Sequence, residues 1–245
     1  MQQEKKEEYL KGMKLGMPIA IGYFPIAIAF GLLAVQTGLS PIEATGMSIL
    51  VFAGASQFIS LTLLQEHTLL LTIVLATFIL NLRHLLMSMS LSRFLKYERF
   101  ASFLIGFGLT DETFVVATLS EKMGESENIN ARNKLPQATF ITLMLTSYAG
   151  WVGGTFFGSL FAQYIPDYIA QGMGIGLYAM FIGLLVPSIK KNARIGIIAL
   201  LSALFAWFLD IIVPGLSMGW IIIIATLFSS FIASFTRLGT GVGTL

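Results

Sequence analysis

The chain reads as an all-α polytopic membrane protein with about six spanning helices plus two re-entrant or broken-helix segments. Three observations predict this. Of its 245 residues 56% are hydrophobic and only 11% charged, whereas soluble domains carry roughly 25% charged residues. Mean hydropathy is +0.81, and apolar runs of about 20 residues, the length of a bilayer-crossing helix, recur along nearly the whole chain. A barrel would instead show alternating strands of about 10 residues. Finally, two of the runs carry small and polar residues at their centres, where lipid cannot satisfy exposed backbone groups.

Composition removes other classes. There is no cysteine, which excludes disulfides, thiol catalysis and Cys-ligated metals. The 2 histidines cannot build a metal site unaided. Neither an HExxH pattern nor a phosphate-binding GxxxxGK[ST] loop occurs, so no enzyme activity and no cofactor are expected. A net charge of +2 is too small to suggest nucleic acid as a partner. The lipid bilayer is the expected environment.

In chain order, Met1–Lys14 is a charged interfacial tail on the cytoplasmic side. A first span follows at Leu15–Gln36, too long for a signal-peptide core and interrupted by Pro18, Gly22 and Pro25, since proline inside a helix frees a carbonyl and kinks it. The run Ile42–Leu64 contains Gly54-Ala55-Ser56-Gln57 where a bilayer is driest, and a turn is expected at Gly54–Ser56. Thr68–Ser90 is a span that becomes polar at Asn81, Arg83 and His84. Phe100–Ser120 is apolar but carries Gly106, Gly108, Thr110, Asp111 and Glu112 at its centre. Four cleaner runs follow the polar loop Glu121–Lys134: Gln137–Gln163, Tyr168–Ser188, Ala193–Ile212 and Leu216–Thr236. Residues 15–236 thus form one helical transmembrane domain, and 237–245 a cytoplasmic tail.

Charge decides which runs cross. If all eight cross and the N-terminus is inside, Arg83, Arg93, Lys96 and Arg99 lie outside, four of the 15 basic residues and a violation of the positive-inside rule. If Ile42–Leu64 and Phe100–Ser120 are re-entrant hairpins, every basic residue faces the cytoplasm. The hairpins are therefore adopted. One span plus one hairpin crosses the bilayer once, so residues 15–66 and 68–120 become candidate inverted repeats. Gly54-Ala55-Ser56-Gln57 then faces Gly108-Leu109-Thr110-Asp111, a recurring transporter design. A label at residue 66 should react from outside, and one at residue 96 only from the cytoplasm.

The polar residues in these runs could carry chemistry. An unpaired charge at mid-membrane costs about 2.5–3.5 kcal/mol on insertion scales, so Asp111 and Glu112 either serve function or sit at a wet hairpin mouth, with Asp111 capping a half-helix Glu112–Ser120. Asn81 and His84 share a helix face and Arg83 points elsewhere. Arg83 anchors the helix end at the interface or, turned inward, pairs with Asp111. His84 is the group whose ordinary pKa lies nearest neutrality. Gly54, Ala55, Ser56 and Gln57 either form a packing face or begin a half-helix whose free amides suit a carboxylate. Gly150, Gly154 and Gly158 form a strip for close helix packing. His67 is a loop residue, and Asp210 marks a run's outer end.

Three motifs, Met47-Ser48-Ile49-Leu50-Val51-Phe52-Ala53-Gly54-Ala55-Ser56-Gln57-Phe58, Asn81-Leu82-Arg83-His84-Leu85-Leu86-Met87-Ser88 and Thr110-Asp111-Glu112-Thr113-Phe114, resemble in order and spacing those of the AzlC family, the large subunits of bacterial branched-chain amino acid exporters. Phe181-Ile182-Gly183-Leu184-Leu185-Val186-Pro187 resembles a fourth. The resemblance covers about residues 12–236. It implies export of hydrophobic amino acids across the bacterial cytoplasmic membrane, with a small AzlD-type partner subunit. Members often carry an acidic residue ahead of the fourth motif, where this chain has Met173-Gly174-Ile175-Gly176. On this reading Gly54, Ala55, Ser56, Gln57, Asn81, Thr110, Asp111 and Glu112 bind substrate, with Arg83, His84 and Asp111 in coupling or ion pairing. A passive channel, a non-transporting assembly subunit and an intramembrane aspartyl hydrolase using Asp111 and Asp210 are the alternatives; the last needs two carboxylates sharing a proton.

Overall fold

The computed structural model describes residues 2–92, 98–122, 136–166, 182–183, 185–186, 188–190 and 192–235. In chain order its helices are α1 (Gln2–Gln36), α2 (Pro41–Leu50), α3 (Gly54–Gln65), α4 (Leu70–Ser92), α5 (Arg99–Gly108), α6 (Asp111–Lys122), α7 (Gln137–Phe161, continued by a 3₁₀ turn at Ala162–Tyr164), α8 (Ala193–Ile212) and α9 (Met218–Phe235). Among the described residues four helices are long and apolar enough to cross a membrane: Lys5–Gln36, Leu70–Ser92, Gln137–Tyr164 and Ala193–Ile212. The protein is thus an all-α polytopic membrane protein. The expected span 168–188 lies largely outside the described residues, as do Arg93, Lys96 and the tail 237–245.

Both polar-centred runs are broken helices. The first is interrupted at Val51–Ala53, between α2 and α3, and the second at Leu109–Thr110, between α5 and α6. The first break precedes the expected turn at Gly54–Ser56. Val51 is extended, at φ −130 and ψ 105, and Gly54 already opens α3. Glycine is needed there for space, because a Cβ would lie 2.5 Å from the Trp151 ring.

The first span is not interrupted at its prolines: helix begins at Gln2 and runs 35 residues through both Pro18 and Pro25. What holds it is α7, which runs parallel beside it. Along α1, Gly12, Ala20 and Ile28 meet Thr139, Gly150 and Gly158 in turn, and a Cβ on Gly12 or Gly158 would lie 2.3 or 2.1 Å from a facing backbone carbonyl oxygen. Backbones this close gain dispersion contacts along their length, the packing mode of small-residue helix pairs in membranes. The helix ends are closed by the chain itself. Gly38, at φ 100, ends α1 with Leu39 N–H donating to Ala34 at 3.1 Å. His67, at φ 52, ends α3 the same way, with Thr68 N–H donating to Leu63 at 3.0 Å, a Schellman closure that more often uses glycine.

The chain divides into two compact units, Met1–Gln57 with Asn81–Gly174, and Phe58–Leu80 with Ile175–Leu245. In the first, Leu91, Ile105, Leu109, Phe140, Leu143 and Met144 form a core cluster. In the second, Leu63, Ile73, Ala76 and Ile223 do so, and Phe205 of α8 stacks on Phe228 of α9 at 3.8 Å. An apolar cavity of about 290 Å³ lies between α8 and α9, beside Phe205 and Ser229.

Candidate functional site

Within the first unit both helix breaks reach the same aromatic pair on α1 and α7. Tyr23 packs edge-on against Trp151 with centroids 5.7 Å apart and against Phe52, in the first break, at 5.9 Å. The Tyr23 hydroxyl lies 2.9 Å from Thr110 Oγ1, in the second break, and hydrogen-bonds Glu112 at the start of α6. Tyr23 therefore bridges the two interruptions.

Around the first break a closed ring of hydrogen bonds satisfies four buried polar residues. Gln57 Nε2 donates to Ser48 Oγ at 3.0 Å; Ser48 and Thr155 hydroxyls are 2.8 Å apart; Thr155 donates to the Trp151 carbonyl at 3.0 Å; and Trp151 Nε1 donates back to Gln57 Oε1 at 2.8 Å. Gln57, Ser48 and Thr155 have no exposed surface. Ser56 donates to the Ala53 carbonyl at 2.9 Å and accepts from Asn81 Nδ2 at 3.1 Å, which ties the first turn of α3 to α4. The last turn of α2 gains a partner for an end carbonyl, since the Tyr148 hydroxyl donates to Ile49 at 2.8 Å. The polar side chains around the first break are thus satisfied by one another.

At the second break the cap is Thr110, not Asp111. Thr110 N–H donates to Thr113 Oγ1 at 2.8 Å and Thr113 N–H to Thr110 Oγ1 at 3.4 Å, a reciprocal arrangement like the capping box. That leaves Asp111 free to pair with Arg83, Nη1 to Oδ2 at 2.7 Å, with side chains 39% and 33% exposed. His84 is half-buried beside this pair. Gly54 and Ala55 occupy the first turn of α3, whose leading amides have no intrahelical acceptor.

Gly150, Gly154 and Gly158 line the α1–α7 contact rather than the breaks. Asp210 stands in the last turn of α8 and Asp111 in the first unit, so the two are assigned to different units. The sequence assigns no role to Tyr23, Trp151 or Thr155, and Ser48 and Thr113 stand in the motifs without one. A signal existed for two of them: a tyrosine at mid-span between Gly22 and Pro25, and a tryptophan inside a glycine strip. The ring's hydroxyls carry no such mark, because Ser and Thr are common in membrane helices as backbone-bonded residues.

The family model for the AzlC protein matches residues 18–165, the stretch from α1 to the end of α7 that contains both breaks. The chain belongs to the AzlC family. Among this AzlC-family protein's relatives, a membrane protein of Archaeoglobus fulgidus is 36% identical over 188 residues, covering 76% of this chain and 78% of its own. The inner membrane protein YgaZ of Escherichia coli is 32% identical over 199 residues, 79% of this chain and 78% of its own. The branched-chain amino acid transport protein AzlC of Bacillus subtilis is 27% identical over 180 residues, 73% of this chain and 66% of its own. No solved structure matches. Family membership makes the protein part of a transport family and not an enzyme, and among the described residues no group of acids and histidines could hold a metal. The fourth motif, 181–187, and Met173–Gly176 lie beyond the matched region and largely outside the described residues.

Proposed function

We propose that the protein is a secondary transporter exporting branched-chain amino acids across the bacterial cytoplasmic membrane, together with a small AzlD-type partner subunit. The observation that carries this is the convergence of two helix interruptions on Tyr23 and Trp151, with the Arg83–Asp111 ion pair at the mouth of the second. Broken helices near the midplane expose backbone ends that bind ionic substrate groups in transporters. An ion pair of this kind is complementary to a zwitterion. The substrate ammonium takes Asp111 and its carboxylate takes Arg83 and the leading amides of α3 at Gly54 and Ala55, so neither charge is left alone. Exchange with a zwitterion replaces both partners at once. Asn81 holds the first turn of α3 beside the same stretch of α4, and Phe52 supplies apolar surface for a branched side chain. The ring around Gln57 is the occluded resting arrangement that substrate entry must open.

The test is counterflow of labelled valine in proteoliposomes. Saturable counterflow is expected from the wild type. Asp111→Asn should lower it by about tenfold or more, the consequence of losing about 1.4 kcal/mol or more of binding. Flux that is neither saturable nor capable of counterflow marks a channel, absence of flux ends the transport assignment, and a wild-type rate in Asp111→Asn removes Asp111 from the substrate site.

A further inference from the structure

We propose that the face of α4 made by Asn81, His84, Ser88 and Ser92 lines a water-filled passage from the end of α4 to the first helix break, and that the amino acid travels it to reach the leading amides of α3. This rests on the transport reading above and names the route that reading needs.

Spacing makes these four residues one face. At about 100° per residue they fall within an arc of about 80°, and from Asn81 to Ser92 the arc runs about 16.5 Å along the helix axis. That is roughly half of a hydrocarbon core about 30 Å thick. The other faces of the same stretch carry different chemistry. Met87 and Leu91 pack into the core cluster with Ile105 and Phe140, and Arg83 reaches Asp111 at the start of α6. Leu82, Leu85, Leu86 and Met89 are apolar and exposed, the side offered to lipid. Between the two stands the polar face, with Asn81, His84 and Ser88 half-buried and Ser92 exposed where the helix ends.

Neither neighbouring face explains the polar one. A packing face is built from apolar side chains, and a lipid-facing one is weakened by an amide, an imidazole and hydroxyls, which lose their hydrogen bonds to water there. Polar residues within membrane helices face the bundle interior or a water-filled cavity. Bonding to the helix's own backbone accounts for the outer end, where Ser92 donates to the Met89 carbonyl at 2.8 Å. The inner end gives the face a destination. Asn81 Nδ2 donates to Ser56 Oγ at 3.1 Å, and Ser56 stands in the first turn of α3 beside Gly54 and Ala55, whose amides have no intrahelical acceptor. The polar face therefore leads from the open end of α4 to backbone donors suited to a carboxylate. A zwitterion has to keep both charges solvated until it binds, and side-chain polar groups bridged by water do this along the way. With an inside N-terminus and both broken segments returning, the outer end of the face opens to the cytoplasm, where an exporter collects its substrate.

With no native cysteine, single cysteines read the face directly. In membrane fragments open to both sides, a charged, water-soluble methanethiosulfonate should modify Ser88→Cys about tenfold or more faster than Leu86→Cys or Met89→Cys, because the reactive thiolate is suppressed in apolar surroundings. The two controls flank position 88 along the helix axis, so depth cannot produce the difference. In proteoliposomes, modified Ser88→Cys should lose valine counterflow relative to the unmodified variant, and more with a bulky adduct than with a methyl one. Equal rates at the three positions, as a face covered by lipid or by a partner helix would give, overturn the passage. Rapid modification of Ser88→Cys whose adducts leave counterflow intact overturns its use by substrate. If the wild type shows no valine counterflow the transport reading fails, while the relative rates still decide whether the face is wet.

Discussion

Gln57 shows at single-residue scale how this protein keeps polar groups inside a membrane domain. Its amide is fully buried, donates to Ser48 and accepts from Trp151, and through Thr155 the ring closes. A satisfied ring is cheap to bury, whereas each donor or acceptor orphaned in it costs about 1–3 kcal/mol. Gln57→Leu strands the Trp151 N–H and one Ser48 acceptor site, so the thermal unfolding midpoint in detergent should fall clearly. Adding Trp151→Phe removes the stranded donor and should recover part of the loss; a double variant less stable than the sum of the singles would contradict the ring. Glycine makes a second comparison possible. A Cβ at position 158 lies 2.1 Å from the Ile28 carbonyl oxygen, a backbone atom, while one at Gly46 meets nothing within 4 Å. Overpacking of this kind costs about 1–3 kcal/mol or more, so Gly158→Ala should lower the midpoint and Gly46→Ala should leave it in place or raise it.

Among the elements, the broken helices were the most legible in sequence, because small and polar residues in the middle of an apolar run sit poorly in an unbroken lipid-facing helix. Their boundaries were less so. Gly54 marks where Trp151 presses on the backbone rather than where the chain turns, and only the fold reveals that ring. Thr110 caps α6 with Thr113 as its partner, so the acidic residue beside it is released for Arg83; a Thr-x-x-Thr cap is a weaker sign than an aspartate. The prolines of α1 misled for a related reason, since close packing on α7 holds the helix through positions where propensity predicts interruption. The start of α2 is the clearest local signal. Pro41 follows Ser40, whose backbone N–H and hydroxyl each donate to the Glu43 carboxylate at 2.7 Å while Glu43 N–H donates to Ser40 Oγ at 3.2 Å. Those two donors hold the Glu43 carboxyl below its ordinary value of 4.5. The sign follows directly. A depressed native pKa contributes stability that is complete above the unfolded value and disappears as pH falls through the native one. Amide exchange at residues 40–44 should therefore be flat with respect to protection above about pH 5 and should lose protection only on acidification below the ordinary Glu range. Glu43→Ala should remove that pH dependence; a pH response surviving in Glu43→Ala would assign it elsewhere.

At the scale of the molecule, the parallel pairing of α1 with α7 constrains how the chain threads the bilayer. Both helices run the same way, from Gly12 beside Thr139 to Ile28 beside Gly158, so the residues between them must cross an odd number of times. α4 crosses once on its length and composition. The two broken segments therefore share one fate: both return to the side they entered from, or both cross. Length does not choose, because α2 and α5 have 10 residues each and α3 and α6 12 each. At about 1.5 Å per residue, each half reaches roughly the midplane of a core about 30 Å thick. We propose from charge that both return, since with an inside N-terminus Arg83 and Arg99 fall on the cytoplasmic side only then. With no native cysteine, single substitutions at Glu66 and Glu98 report the outcome cleanly. Two returning segments place Glu66→Cys outside and Glu98→Cys inside, so an impermeant maleimide applied to intact cells should label the first and spare the second until the membrane is opened. Two crossing segments produce the reverse pattern, and the symmetric opposition of Gly54–Gln57 to Gly108–Asp111 then goes with it. Labelling of both from one side would mean that α4, which alone separates the two positions, does not cross, against its length and composition.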